Sequence, residues 1–295
     1  MKQLAIIGPT ASGKSDLAIK IAQKMNAYIL SIDSLSIYKE IDIVSAKPSR
    51  EELAAIKHFG IDVLYPDEYF SVEIFIKLYK DVVALCKKEK KNLIIVGGTS
   101  FYLKSLMQGL SKIPPMTPEL KQSVAVKMKN LEEVFQMLQS RDPLYMKKIN
   151  PKDSYRIEKA LLILEASQMT PSKWFMKNPP EPIIEKMPIY NIDVSRDVLR
   201  NRIQKRTKKM LTMGLIDEVA YLEKKYSREP NAMSSIGVVE VLSYLDAEIE
   251  LPQMLELISI HTAQLAKRQQ TFNRTQFTEI TTAPLEELEE IILSQ

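Results

Sequence analysis

The sequence predicts an α/β protein, a parallel sheet core built on a phosphate-binding loop (P-loop) and interrupted by a helical insertion domain. Three observations carry this. Apolar strand-like runs at Leu4–Ile7, Tyr28–Ile32, Asn92–Val96, Ile189–Val194 and Phe277–Thr281 alternate with long helical patterns, the signature of a parallel sheet covered on both faces. The first run empties into Gly8-Pro9-Thr10-Ala11-Ser12-Gly13-Lys14-Ser15, which fits G-x-x-x-x-G-K-[ST] in its strand–loop–helix context. From Ser111 to Met187 the patterns are helical only, opened by Pro114, Pro115 and Pro118 and closed by Pro179, Pro180 and Pro182. Prolines at both edges mark an insert.

Ligands of such folds bind at the C-terminal ends of the strands, so the residues after each strand are the candidates. After the first strand, glycines let successive N–H groups point at one anion, and the following helix (Asp16 to Met25) adds its N-terminal partial charge. Gly8, Thr10, Ala11, Ser12, Gly13, Lys14 and Ser15 are therefore the expected phosphate-binding residues. Lys14 is placed to meet the outer phosphate, and the Ser15 hydroxyl is the expected Mg²⁺ ligand. By itself this loop suggests ATP.

The second strand ends at Asp33-Ser34, where a carboxylate serves as a metal-sphere ligand or as a base. The third ends in Gly97-Gly98-Thr99. In many nucleotide hydrolases this place holds an acid that binds Mg²⁺; two glycines and a hydroxyl argue against an ATP-hydrolysing motor. His58 has no cysteine or second histidine nearby and reads as a structural or hydrogen-bonding residue. A helix is predicted over Val72–Lys88. It contains Cys86, read as a buried helix position, and one cysteine allows neither an internal disulfide nor a multi-cysteine zinc site.

The insertion domain, 113–187, separates core segments 1–112 and 188–295. From Lys112 to Met187 there are thirteen Lys and Arg against nine acids. Such a unit fits a lid or clamp for a large anionic substrate, and equally a packing subdomain. Beyond it, helices are predicted over Arg196–Met213, Leu215–Tyr226, Ser234–Leu245 and Pro252–Phe272. Arg196 to Lys209 holds seven basic residues against Asp197 alone, a solvated face or a phosphate-binding surface.

The bulk numbers are ordinary: 295 residues, 45% hydrophobic, 26% charged, net charge +4. That charge alone does not call for nucleic acid. No run reaches the ~18 apolar residues that span a membrane, and the N-terminus reads as a strand rather than a signal peptide. The expectation is a cytoplasmic protein without membrane contact.

Taken in order, these motifs resemble one family along nearly the whole chain: the tRNA dimethylallyltransferases, also called tRNA isopentenyltransferases. The resemblance includes Gly8–Ser15, Asp33-Ser34-x-x-x-Tyr38, Ala46-Lys47-Pro48, Gly97-Gly98-Thr99-x-x-Tyr102-Leu103, Asp142-Pro143, Asp153…Arg156, Gly214-Leu215-Ile216-Asp217-Glu218-Val219, Ile236-Gly237…Glu240 and Lys267-Arg268-Gln269-x-Thr271. It implies transfer of the five-carbon group of dimethylallyl diphosphate to N6 of the adenosine 3′-adjacent to a tRNA anticodon, position 37, with release of diphosphate. It implies Asp33 as the base, Thr99 as a positioning hydroxyl, and Lys14 and Arg206 on the diphosphate. It places Asp33, Ser34, Leu35, Ser36, Thr99, Lys121, Tyr155, Arg156, Lys159, Lys267, Arg268 and Gln269 near the RNA. Mg²⁺ is the implied cofactor, and the tRNA anticodon stem-loop and dimethylallyl diphosphate are the implied partners of a monomer. A single cysteine leaves no zinc-finger set of the eukaryotic kind, so the resemblance is to the bacterial type.

The chain departs from the family pattern at several points. Ser36 stands where the family usually has Gln, whose amide can read an adenine edge bidentately. Phe59 replaces a His, Ala166-Ser167 a Thr-Gly, and Phe272 a Trp. Gly237-Val238-Val239-Glu240 lacks the usual aromatic and cation. Three rival readings share parts of the pattern: a P-loop kinase of small molecules, a prenyltransferase acting on free adenine nucleotides, and a non-catalytic RNA-binding protein. The Gly97–Thr99 strand end weighs against the first, the insert and Lys267–Arg274 against the second, and Asp33 beside an intact loop against the third.

Overall fold

The computed structural model describes residues 1–294 and divides into two compact units, 1–106 with 185–294, and 107–184. Gln295, the end of the predicted core, lies outside the described residues. The proline-based insertion bounds, 113–187, fall a few residues downstream of the observed ones.

The first unit is built on strands β1 (Gln3–Ile7), β2 (Ala27–Ser31), β3 (His58–Phe59), β4 (Asn92–Gly97), β5 (Ile189–Asp193) and β6 (Thr281–Pro284). They form one parallel sheet in the order β3-β2-β4-β1-β5-β6. The central strands are unbroken apolar runs because both faces are covered; Ala5, Ile6, Ile7, Ile94 and Ile95 are fully buried. The edge strand β3 escapes sequence reading because it is two residues long. The last strand needs correction. Its predicted start, Phe277, is instead the C-terminal cap of the preceding helix, buried and set against Phe272 with ring centroids 6.4 Å apart. The chain joins the sheet only at Thr281, opposite Tyr190.

Helices α1 (Lys14–Lys24), α2 (Arg50–Ala55), α3 (Val72–Lys88) and α4 (Ser100–Gln108) follow the early strands. Ser71 caps α3 by accepting from Ile74 N, and Cys86 is a buried free thiol within it. The second unit comprises α5 (Pro118–Lys127), α6 (Leu131–Arg141), α7 (Pro143–Met146), α8 (Ser154–Ser167) and α9 (Pro171–Lys177). It has its own core, in which Val124, Leu138, Met146, Ile157 and Leu161 are buried. Full burial of each such side chain contributes about 1.5–3 kcal/mol. The Asp142-Pro143 motif is structural. The buried Asp142 carboxylate accepts from Tyr145 N, Ser172 N and Ser172 Oγ, tying α7 to α9.

The chain returns to the first unit with α10 (Arg196–Thr212), α11 (Leu215–Tyr226), α12 (Val238–Leu245), α13 (Leu251–Gln276) and α14 (Leu285–Leu293). Helices α1 and α14 cover one sheet face, where Leu17, Ile21, Leu288 and Ile292 pack on Ile6, Ile29 and Ile94. Helices α11, α12 and α13 close a second core over Ile37, Ile41 and Val44.

Strand register positions the site. Ile7 stands opposite Gly97 on one side and Asn191 on the other, and Ser31 stands opposite Val96. Strands β1, β2 and β4 therefore end at one edge, and the segments after them meet. A Cβ on Gly97 would stand 2.8 Å from Ile32 Cγ1, so glycine lets the exits of β2 and β4 approach.

Candidate active site

The phosphate loop lies between β1 and α1. Gly13, the N-cap of α1, has φ 92° and no side chain to cap the helix. A residue with a Cβ would be strained there and would meet Leu285 Cδ2 at 3.0 Å. Ala11 also has positive φ, 62°. Alternating backbone handedness turns consecutive N–H groups toward one concavity, and the uncapped first turn leaves its N–H groups free. Ser12 Oγ is buried in this loop without a hydrogen-bond partner. Lys14 Nζ donates to Pro9 O at 2.7 Å, folding the lysine back over the loop.

Asp33 follows β2. Its Oδ1 accepts the N–H of Leu35 at 2.9 Å and of Ser36 at 3.1 Å, which turns the chain and holds the carboxylate half-buried. Thr99, beyond β4, accepts Ser34 N–H on Oγ1 at 3.3 Å and donates to Ser34 Oγ at 3.4 Å. The Asp33 and Thr99 segments are thus stitched together.

Helix α10 supplies the cations. Ser195 caps it by accepting from Val198 N. Of its seven basic residues, six remain exposed and Arg206 is drawn inward, its Nη1 donating to Thr10 Oγ1 at 3.3 Å. Arg202 Nη1 donates to Ser12 O at 3.2 Å. The helix thus keeps most of the block in solvent and turns Arg206 and Arg202 toward the loop. Burial lowers the Lys14 pKa to about 8; Asp33 partly opposes this and Arg206 adds to it. Burial also lowers the Arg206 pKa, with Asp33 opposing.

Two cavities meet at these groups. One, about 220 Å³, is lined by Thr10 through Ser15, Asp33, Ser36, Gly97, Gly98 and Arg206. The other, about 190 Å³, shares Thr10, Asp33, Ser45 and Arg206 and adds Ser34, Leu35, Thr99, Gln269 and apolar groups including Val44, Ile203, Met210, Ile236 and Leu265. A polar anion cradle thus opens beside a largely apolar chamber, with one carboxylate common to both. Ser15 lines the cradle. Among the described residues no three His, Cys, Asp or Glu side chains gather to cage a metal. Mg²⁺ that arrives with phosphate oxygens needs only one or two protein ligands, so this donor set fits it.

The other predicted residues are placed as follows. Ser36 is buried and lines the cradle, its N–H given to Asp33. Lys267 and Arg268 are exposed, and Lys267 lines a groove with Arg196 and Arg200 between α10 and α13. Gln269 turns inward, with Oε1 accepting Thr10 N–H at 2.8 Å. In the second unit, Lys121 is exposed on α5, while Tyr155, Arg156 and Lys159 lie on the first turns of α8. Lys159 Nζ stands 5.2 Å from the Tyr155 ring centroid.

Sequence reading missed three supports. Glu218 accepts the N–H groups of Asp42, Ile43 and Val44 at 2.8–3.1 Å, shaping the segment that leads into Ser45, which lines both cavities. The nearly buried Lys47 side chain bridges Asp42 and Asp62, each at 2.6 Å. Glu240 Oε2 accepts Gly237 N–H at 2.6 Å, and its Oε1 pairs with His261 Nδ1 at 2.5 Å. These residues sit inside recognisable motifs, but their partners are more than a dozen residues away or depend on a loop's shape.

Fold and site together define an α/β enzyme in which a phosphate-loop cradle faces the Asp33 carboxylate. The IPP transferase family model matches residues 36–276, and the chain belongs to that family of transferases. It is 68% identical over 294 residues to a tRNA dimethylallyltransferase of Sulfurimonas denitrificans, covering 100% of this chain and 99% of that one. It resembles the crystal structure of a tRNA Δ2-isopentenylpyrophosphate transferase of Staphylococcus epidermidis at 30% identity and TM-score 0.70, covering 100% and 98% of the two chains. It also resembles a eukaryotic dimethylallyltransferase captured acting on tRNA, at 25% identity and TM-score 0.79, covering 92% of this chain and 70% of that one.

Proposed function

We propose that this protein transfers the dimethylallyl group of dimethylallyl diphosphate to N6 of the adenosine at position 37 of tRNA and releases diphosphate. One observation carries the reading: Asp33 is common to the phosphate-loop cradle and to the apolar chamber beside it. The loop N–H groups, Lys14 and Arg206 hold the diphosphate, and the five-carbon chain lies among Val44, Ile203 and Leu265. The C1–O bond of the donor breaks as the N6–C1 bond forms, and the proton lost from N6 goes to the Asp33 carboxylate. Negative charge developing on the departing diphosphate is met by groups already aimed at it, which lowers the barrier. Ser15 would hold Mg²⁺ here, and the ion's contribution is charge neutralisation of the diphosphate. The phosphates are the leaving group, so this loop serves a prenyl donor in place of ATP.

An adenine stacked in an anticodon loop must be flipped out to reach a half-buried carboxylate, at a cost of a few kcal/mol. Lys121, Tyr155, Arg156 and Lys159 of the second unit, with Lys267 and Arg268, contact the anticodon stem-loop. The enzyme works as a monomer in the cytoplasm; no helix among the described residues is long and apolar enough to cross a membrane.

The test is incubation with labelled dimethylallyl diphosphate, Mg²⁺ and unmodified tRNA. Label on the tRNA is expected. Label on free adenine nucleotide alone would assign the acceptor differently, and phosphate transfer from ATP to a small acceptor would replace the reading with a kinase.

A further inference from the structure

Gln269 lines the second cavity and reaches the phosphate loop, a placement that its membership in an RNA-reading motif does not explain. Its Oε1 accepts the Thr10 N–H at 2.8 Å. An N–H cannot bond to an amide NH₂, so this contact fixes the orientation of the side chain: oxygen on the phosphate loop, nitrogen away from it. The Nε2 group lies against β4's exit, where a Cβ on Gly98 would stand 2.3 Å from it. It has no hydrogen-bond partner among the described residues and lines the second cavity with Asp33, Ser34 and Thr99. A donor pair is therefore held open beside the proposed base.

The acceptor chemistry specifies what such a donor can meet. An adenine amine is flanked by two ring nitrogens, N1 and N7, which both accept hydrogen bonds. A guanine amine is flanked on one side by an N1–H donor, which an amide NH₂ would oppose. Ser36, at the position where an amide is usual, is buried and lines the phosphate-loop cavity with a hydroxyl, and the amide that lines the second cavity is that of Gln269 on α13.

We propose that Gln269 is both a positioning and a specificity-determining residue: its Oε1 holds the phosphate loop through Thr10, and its Nε2 donates to a ring nitrogen flanking the reacting amine of the acceptor purine. The acceptor half rests on the reaction proposed above. The loop half does not, because it concerns diphosphate alone.

The test uses the full-length protein and the variants Gln269→Leu and Gly98→Ala. The first removes both polar ends at similar volume; the second leaves Gln269 in place but drives its Nε2 out of position. Calorimetry with inorganic diphosphate and Mg²⁺ reads the loop half, and Gln269→Leu is expected to bind about tenfold more weakly. Single-turnover transfer to an anticodon stem-loop carrying adenosine, 1-deazaadenosine or 7-deazaadenosine at the acceptor position reads the other half. The wild type is expected to lose about tenfold in rate on one of the two analogues beyond the loss shown by Gln269→Leu, and Gly98→Ala should behave like Gln269→Leu. The analogue's intrinsic reactivity cancels in this comparison. Equal sensitivity of wild type and both variants to both analogues would overturn the acceptor half, and unchanged diphosphate affinity would overturn the loop half. A wild type that binds diphosphate but modifies no RNA would overturn the tRNA reading and the acceptor half together, while weaker diphosphate binding by Gln269→Leu would still uphold the loop half.

Discussion

Asp33 Oδ1 accepts the backbone N–H of Leu35 at 2.9 Å and, on the same oxygen, that of Ser36. The proposed base is thus also the residue that shapes its own turn, and the two roles separate by substitution. Asp33→Asn keeps the accepting oxygen and loses the basicity. It is expected to lower kcat by about 10²–10⁴-fold with diphosphate affinity and Tm near wild type. Asp33→Ala should lose turnover and also about 1–2 kcal/mol of stability, because two N–H groups lose their partner. Steady-state kinetics with thermal melts reads both; turnover retained in Asp33→Asn would remove Asp33 as the base.

Arg206 reaches the loop through Thr10 Oγ1 and should matter most when charge builds on the leaving group. Arg206→Ala is expected to cost about 10²–10³ in kcat. Arg206→Lys should recover only part of that, since an ammonium lacks the planar fork. Single-turnover rates at saturating donor decide it. A change confined to KM would mean that Arg206 binds the donor equally before and during bond breaking.

Lys14 gives a pH signature. Its pKa is held down at about 8 by burial, and only its charged form attracts diphosphate. Diphosphate affinity of the wild type should fall as pH rises through about 8, and the fall should be absent in Lys14→Met. The stability effect has the opposite sign. Between pH 8 and the unperturbed value of 10.5, the unfolded chain binds more protons than the folded one, so stability rises with pH. This contribution is fully present above 10.5 and is lost as pH falls to about 8. Melting curves of the free wild type measured against Lys14→Met across that window check the sign; parallel curves would reject the lowered pKa.

Glu218 holds three backbone N–H groups of the Asp42–Val44 segment. Glu218→Ala is expected to destabilise the protein by about 1–3 kcal/mol and to raise KM for the prenyl donor, since Val44 and Ser45 line the second cavity. Urea unfolding with donor kinetics tests this. Loss of stability without any change in KM would confine Glu218 to folding.

Arg156 is largely exposed on the first turn of α8 and pairs with Asp153 at 3.5 Å. Arg156→Ala is expected to raise KM for tRNA about tenfold with kcat nearly unchanged, because a lost phosphate contact affects positioning first. The salt dependence of tRNA binding should also flatten by about one phosphate contact. An unchanged KM would take α8 off the RNA.

Much of the site was legible because its chemistry is written in contiguous residues. The phosphate loop, Asp33-Ser34 and Gly97-Gly98-Thr99 each follow an apolar run, and parallel strands carry whatever follows them to one edge. The seven-cation block was only half legible: composition shows the charge, but it does not show that Arg206 alone turns inward while its neighbours stay in water. The β6 strand was misplaced because Phe277 is apolar for a helix cap packed on Phe272, not for a sheet.

The sequence by itself determined the alternation of strands and helices, the anion cradle, the carboxylate and the separate helical segment. Each rests on local periodicity or on a short motif whose backbone geometry is its own. Tertiary structure decided which partners these groups have. It placed Gln269 on the Thr10 amide, Glu218 under the Asp42–Val44 segment and Glu240 between Gly237 and His261. Those contacts join residues from 3 to 259 positions apart. The long-range ones depend on strand register and on how two packed helices are rotated, and no local pattern encodes either.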